Sequence, residues 1–302
     1  DSIYINSIFS RLSIFVLILK KFKLISDIKI ILAPEGELSK GALQLKTKKK
    51  SLFLKFANSV GLYDDLIWKT TSNLEREEVE NLTLSYKKIF IAPNMPAGIL
   101  LEDYEQNGKP DKSIDTTKMV FLSRYMRKKN LKWFIEQLRY IDKNLYLDIY
   151  GPIEDELYWE ESQEIIQKLP VNIHVSYKGH IQHEKVVSTL FKYHYFILPT
   201  LGENFGHVFV EALSAGCPLL ISDRTPWLNL REKKIGWELP LEKPELWVEA
   251  INQCINTDNV KYRQASSEAR SFAVGWLSDP KVKALTKHVL EYSVGLPFSN
   301  DD

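Results

Sequence analysis

The chain has 302 residues, 44% hydrophobic and 26% charged, with a formal net charge of +1. That is the make-up of a globular protein with room for two cores, and it gives no global charge for holding nucleic acid. Two cysteines, Cys217 and Cys254, exclude a disulfide framework and suit a reducing compartment, so a cytoplasmic location is expected.

The chain begins at Asp1, and its true start is expected to lie upstream. Ser2 to Asn6 reads as a strand, Ser7 to Lys23 as a helix and Ile28 to Ala33 as a strand that stops at Pro34. The longest apolar run, Ile14 to Leu19, is too short to cross a bilayer and lacks the layout of a signal peptide. Ala42 to Asn58 has helical apolar spacing, Leu66 to Lys69 is a short strand, Asn73 to Leu82 a polar helix, and Lys88 to Ala92 a strand closed by Pro93. Residues 97 to 117 have the composition of a linker. A second alternating series follows, with strands at Met119 to Ser123, Leu145 to Tyr150, Val171 to Tyr177, Tyr195 to Leu198 and Pro218 to Ser222. Helices are expected at Leu131 to Leu138, Asp155 to Lys168, His183 to Phe191, Glu245 to Asn256, Val260 to Val274 and Pro280 to Tyr292. Strands alternating with helices predict an α/β protein with parallel, doubly wound sheets.

Phe196 to Asp223 reads as strand, loop, helix, strand. Phe209, Ala212 and Leu213 fall on one helix face, Gly216 sits where a left-handed cap belongs, and Pro218 forbids continuation. Glu203 lies in the loop and Glu211 about a turn into the helix. Between them the helix start presents unpaired N–H groups and a positive dipole end, which suits a phosphate. A carboxylate has acceptor oxygens that match a vicinal diol. Hydroxyls, phosphates and hydroxyls again are the order of groups in a nucleotide-sugar.

Glu203-Asn-Phe-Gly-His-Val-Phe-Val-Glu211, followed by Ala-Leu-Ser-Ala-Gly-Cys-Pro, resembles the E-x7-E signature of family 4 glycosyltransferases. The likeness runs from Leu198-Pro199 through Phe205-Gly206, Gly216 and Pro218 to Ser222-Asp223. It implies the GT-B fold, two Rossmann-like doubly wound domains, the first one incomplete here. The expected division is 1–112 for a partial acceptor-side domain, 113–275 for the nucleotide-sugar domain, and 276–302 for a helix crossing back to the first domain. The resemblance implies a retaining hexosyl transfer from a UDP- or GDP-linked sugar to a glycan or lipid-linked acceptor, without a metal or other cofactor. Glu211 would hold the ribose and Glu203 the transferred sugar. Phe121-Leu-Ser-Arg124 and Lys129-Asn130 resemble the element that meets the diphosphate. Arg offers a planar fork and Lys a point charge, and both are expected to be solvated without ligand. Ser123, Ile181, Phe205, Gly206, His207 and Val208 complete the implied donor site, His207 by its backbone.

The six His form no metal-ligand spacing with Cys or acids, and D-x-D and phosphate-binding Gly-rich loops are both absent. His180 is expected on the surface. Two departures fall in the first domain: Glu35, where the family commonly has Arg, and Asn6, where a His is often found. They leave acceptor identity open. A sugar-nucleotide epimerase and a non-catalytic nucleotide-sugar binder stand as alternatives. From Arg11 to Lys55 there are eleven Lys or Arg against three acids, Asp27, Glu35 and Glu37. This reads as a solvated basic face or as a peripheral contact with an anionic membrane at its inner face.

Overall fold

The computed structural model describes residues 1–25, 27–44, 47–82, 86–94, 109–113 and 116–295. Its elements begin with β1 (Ser2–Asn6), α1 (Arg11–Lys21), β2 (Lys29–Ala33), α2 (Lys40–Gln44), α3 (Thr47–Ser59), β3 (Ile67–Thr70), α4 (Asn73–Leu82) and β4 (Lys88–Ile91). They continue with β5 (Thr117–Leu122), α5 (Leu131–Gln137), β6 (Leu145–Tyr150), α6 (Glu156–Ile166), β7 (Ile173–Gly179), α7 (Val186–Leu190), β8 (Tyr195–Leu198), α8 (His207–Ser214) and β9 (Leu219–Ser222). β10 (Gly236–Leu239), α9 (Pro244–Asn256), α10 (Asn259–Ser278) and α11 (Pro280–Val294) close the chain. It divides into two compact units. One comprises 1–95, 202–205 and 279–302, the other 96–201 and 206–278.

The first unit holds a four-stranded parallel sheet in the order β1-β2-β3-β4. One core gathers Ile5, Leu17, Ile30, Leu32, Leu54, Trp68 and Val79. A second gathers Ile31, Ile67 and Phe90 with Val289 of α11. Ile30 and Ile31 alternate between the two cores, as a strand requires. The C-terminal helix thus packs on the first unit's own sheet, where Phe90 meets the rings of His288 and Tyr292 at 5.2 and 5.0 Å.

The second unit holds six parallel strands in the order β10-β9-β8-β5-β6-β7, with a core that includes Phe121, Leu147, Phe196, Phe209 and Trp247. The winding reverses between β5 and β8. Two loops leave that point at the carboxyl edge, the place where open α/β sheets bind ligands.

Several boundaries differ from expectation. α1 starts at Arg11 rather than Ser7, because Ser10 caps it by accepting from Ser13 N–H at 3.0 Å. The preceding residues are held by Glu37, whose carboxylate accepts from Ser7 Oγ and Ile8 N–H. The expected helix from Ala42 to Asn58 is two helices, α2 and α3. Strand β10 was not anticipated. A Cβ on Gly236 would lie 2.1 Å from the Leu219 carbonyl oxygen, so the missing side chain is what lets β10 approach β9. Of the expected linker, 97–108 and 114–115 lie outside the described residues, but 109–113 is no solvated tether. Lys109 and Lys112 are buried, and their ammonium groups donate to carbonyls at the ends of α8 and α9.

Candidate functional site

The loop after β5 carries Ser123, Arg124 and Lys129. Ser123 N–H donates to the Tyr150 carbonyl at 3.1 Å, tying this loop to the end of β6. A Cβ on Gly151 would lie 1.9 Å from the Ser123 carbonyl oxygen, so only glycine permits the approach. Tyr125 anchors the turn from below, buried against Tyr158 and Trp159. Arg124 is held outward on the surface. Its guanidinium lies 3.3 Å from both carboxylate oxygens of Glu154, so it is ion-paired rather than simply solvated.

Lys129 does not open a helix. It ends a 3-10 turn over Arg127–Lys129, and Asn130, at φ 57°, turns the chain left-handed before α5 begins at Leu131. The turn brings Lys129 in from solvent, and it is buried. The Lys128 carbonyl accepts from Leu201 N–H at 2.8 Å and from Thr200 Oγ at 3.2 Å. The loop after β5 is thereby fastened to the loop after β8.

The loop after β8 re-enters the second unit at Gly206, which sits at φ 78° as the N-cap of α8 and offers no side-chain cap. An α-helix start of this kind leaves its first N–H groups pointing outward, with positive dipole ends. His207 is exposed and Val208 half-buried. The other end of α8 is closed by Cys217 N–H donating to the Ala212 carbonyl and Gly216 N–H to that of Leu213, with Gly216 at φ 67°. This is the Schellman pattern.

Glu211 is buried on α8. Burial pushes its carboxyl above the usual range, and His183 offsets this in part. His183 Nδ1 lies 3.5 Å from Glu211 Oε1, and the imidazole is exposed. His183 was not singled out from the sequence. It follows Ile181, half-buried against the core, in the segment after β7. Its separation of 28 residues from Glu211 hides the pairing from any motif. His180 is exposed, as expected.

Glu203 and Phe205 fall within 202–205, which groups with the first unit. Glu203 is half-buried and Phe205 buried. At the carboxyl edge of the first unit's sheet, Asn204 Nδ2 donates to Glu35 at 3.0 Å and Asn94 Nδ2 donates to it at 2.7 Å. Glu35 holds a left-handed conformation, φ 51°, and the buried Lys69 ammonium lies 3.8 Å from its carboxylate. The unexpected carboxylate at 35 therefore has a cation of its own. Beside it Glu75, fully buried, accepts from the N–H groups of Gly36 and Thr71. Burial still pushes its carboxyl up, with those bonds opposing.

Among the described residues, no group of three or more His, Cys, Asp or Glu is placed to hold a metal ion. None of the described helices is long and apolar enough to cross a membrane.

Solved structures of similar fold include sucrose-phosphate synthase from Thermosynechococcus elongatus, at TM-score 0.73 and 16% identity over 97% of this chain and 74% of that one. Anabaena HepE in complex with UDP-glucose is similar at TM-score 0.72 and 17% identity, over 98% and 79%. OtsA is similar at TM-score 0.68 and 10% identity, over 97% and 72%. At these identities the likeness is one of fold, the two Rossmann-like domains of GT-B. No curated protein matches the chain by sequence. Residues 103–272, more than half of the chain, match the model of the family described as glycosyl transferases group 1. The chain belongs to that family.

Proposed function

We propose that the protein is a retaining, family 4 type glycosyltransferase that moves a hexose from a UDP-linked donor to a glycan or lipid-linked acceptor. The observation that carries this reading is Glu211, a carboxylate buried on α8 with its charge answered only in part by an exposed imidazole. Carboxylates pushed up by burial concentrate at ligand-binding and catalytic sites, and this one sits on the helix whose start suits a phosphate. Glu211 accepts hydrogen bonds from the ribose hydroxyls of the donor, and His183 lies beside that contact. UDP is preferred over GDP because a similar structure, HepE, binds UDP-glucose.

The difficult step is departure of the diphosphate while the anomeric carbon gains positive character. Arg124, Lys129 and the backbone N–H groups from Gly206 to Val208 stabilise the leaving oxygens, which removes the need for a divalent ion. Arg124 exchanges Glu154 for the diphosphate as the donor binds. Glu203 orients the transferred sugar, and Ser123, Ile181 and Phe205 line the donor site. The reaction takes place in the cytoplasm, at the inner face of a membrane when the acceptor is lipid-linked.

Glu211→Ala tests the assignment. Charge-assisted hydrogen bonds contribute about 1.5–3 kcal/mol, so UDP affinity measured by calorimetry should fall roughly ten- to a hundred-fold, with the fold retained. Unchanged affinity in a variant whose parent binds UDP would remove the ribose role.

A further inference from the structure

Among the described residues, the first unit carries an apolar surface on α1 and α3 that its two cores do not use. Helix α1 turns Ser13 and Leu17 inward. On the opposite side it presents Leu12, 71% exposed, Phe15, 58%, and Phe22 at its C-cap, 73%. Their spacing follows one helical stripe, with Ile18 on its flank and Leu24, also exposed, just beyond. A helix that is apolar on both faces is ordinarily covered on both.

Helix α3 is its neighbour. Leu17, Leu54 and Ala57 share one core, and Lys21 Nζ donates to the Gly61 carbonyl just past the end of α3. It too presents apolar side chains outward, Leu52 and Phe56 at 71% and 64% exposure. Neither helix contains an acidic residue. Arg11, Lys21, Lys23, Lys49 and Lys55 are exposed on or beside them, and of these Lys21 pairs with Asp64 at 3.8 Å.

We propose that α1, with α3 beside it, is a docking face that seats on an anionic phospholipid surface. Apolar side chains ringed by lysines are what an interfacial helix needs. The rings and branched chains enter the acyl boundary while the long basic stems keep their ammonium groups among the headgroups. The alternative occupant, a second copy of this chain, fits less well. A twofold contact would set the same patch against itself and bring Arg11, Lys23 and Lys55 toward their own counterparts, with no acid on either helix to answer them. Basic charge by itself is satisfied by water, whereas the apolar stripe is not. The proposal stands apart from the donor chemistry, since none of these residues belongs to the donor site.

The test is co-sedimentation of the whole chain with phosphatidylcholine vesicles, with and without phosphatidylglycerol, in the absence of donor and acceptor. Binding is expected only to the anionic vesicles, weakening as salt is raised. Phe15→Ser combined with Phe22→Ser should lower the vesicle partition coefficient at least tenfold, because each ring loses its burial. Arg11→Gln combined with Lys23→Gln should lower it about fivefold per charge. Melting temperature in vesicle-free buffer should not change, since these side chains are exposed. UDP affinity is measured on the same variants, so a failed donor assignment and a failed docking face give different results. Equal partition to neutral and anionic vesicles would overturn the proposal. So would a dimer, seen by light scattering, that the Phe substitutions dissociate. A marked fall in melting temperature for the Phe variant would also overturn it, by showing that the stripe packs against protein.

Discussion

A buried carboxylate whose described ion-pair partner is an exposed imidazole lowers the stability of the fold, and Glu211 is in that position. The sign follows from its raised pKa, caused first by burial. A group that binds its proton more tightly in the folded state adds most to stability below its unfolded pKa, about 4.3 for Glu, and that contribution is lost as pH rises through the folded value. Glutamine imitates the protonated form at every pH. Glu211→Gln should therefore raise the melting temperature by a few degrees near neutral pH, and the gain should shrink as pH falls toward the carboxylate range. Calorimetric melts across pH check this, and a gain independent of pH would contradict the burial penalty. The residue itself was legible in the sequence, because its spacing from Glu203 and the Gly216-Cys217-Pro218 stop mark a helix start with a carboxylate on each side. His183 and Glu154 were not. Each meets its partner across a gap of about 30 residues, and nothing local marks them.

At the scale of elements, α8 owes its position to groups far along the chain. Its C-terminal carbonyl at Ala215 accepts from Lys109 Nζ at 2.6 Å, and the same ammonium reaches Cys217 Sγ at 2.9 Å. Burial depresses the Lys109 pKa, with the Cys217 sulfur opposing. Lys112 serves α9 likewise through the carbonyls of Ile255 and Thr257. Cations at helix C-termini are favourable, but a buried ammonium also carries a desolvation penalty, so the two effects compete. Lys109→Met keeps the stem and removes the donor. It leaves the Ala215 carbonyl buried without that partner, and this should destabilise by about 1–3 kcal/mol. A urea melt decides which effect wins, and a more stable variant would show that desolvation dominates. Composition misread this segment because lysine beside proline ordinarily means solvent, and the carbonyls that accept from it lie more than a hundred residues away. Strand β10 escaped for a related reason. It has four residues, and its one local signal, Gly236, reads as a turn until β9 is beside it.

At the scale of the whole molecule, the alternation of strands and helices was sufficient to give parallel sheets, and the β8–α8–β9 stretch was sufficient to give the GT-B likeness. Strand order was not readable, because it depends on which edge each strand joins. In the second unit the chain runs from β5 to β7 along one edge and then returns to lay β8 on the other side of β5. That reversal puts the loop bearing Arg124 and Lys129 next to the loop that leads into α8, fastened through the Lys128 carbonyl. Of the proposed donor contacts, those from Ser123, Arg124, Lys129 and the start of α8 thus gather on one sheet edge of the second unit, and nucleotide binding should be felt there first. Saturating UDP stabilises whatever it binds, by about 2.7 kcal/mol at a hundredfold excess over Kd. In hydrogen–deuterium exchange, UDP should slow exchange of the peptides covering Ser123 to Asn130 and Gly206 to Glu211, while strands β1 to β4 exchange as before. If, as proposed, Arg124, Lys129 and the α8 N–H groups answer the diphosphate charge without a divalent ion, the protection should persist in excess EDTA. Protection that vanishes on chelation and returns with manganese would mean that a metal, not these cations, holds the diphosphate. Protection centred on the first unit's sheet would move the nucleotide to the other unit altogether.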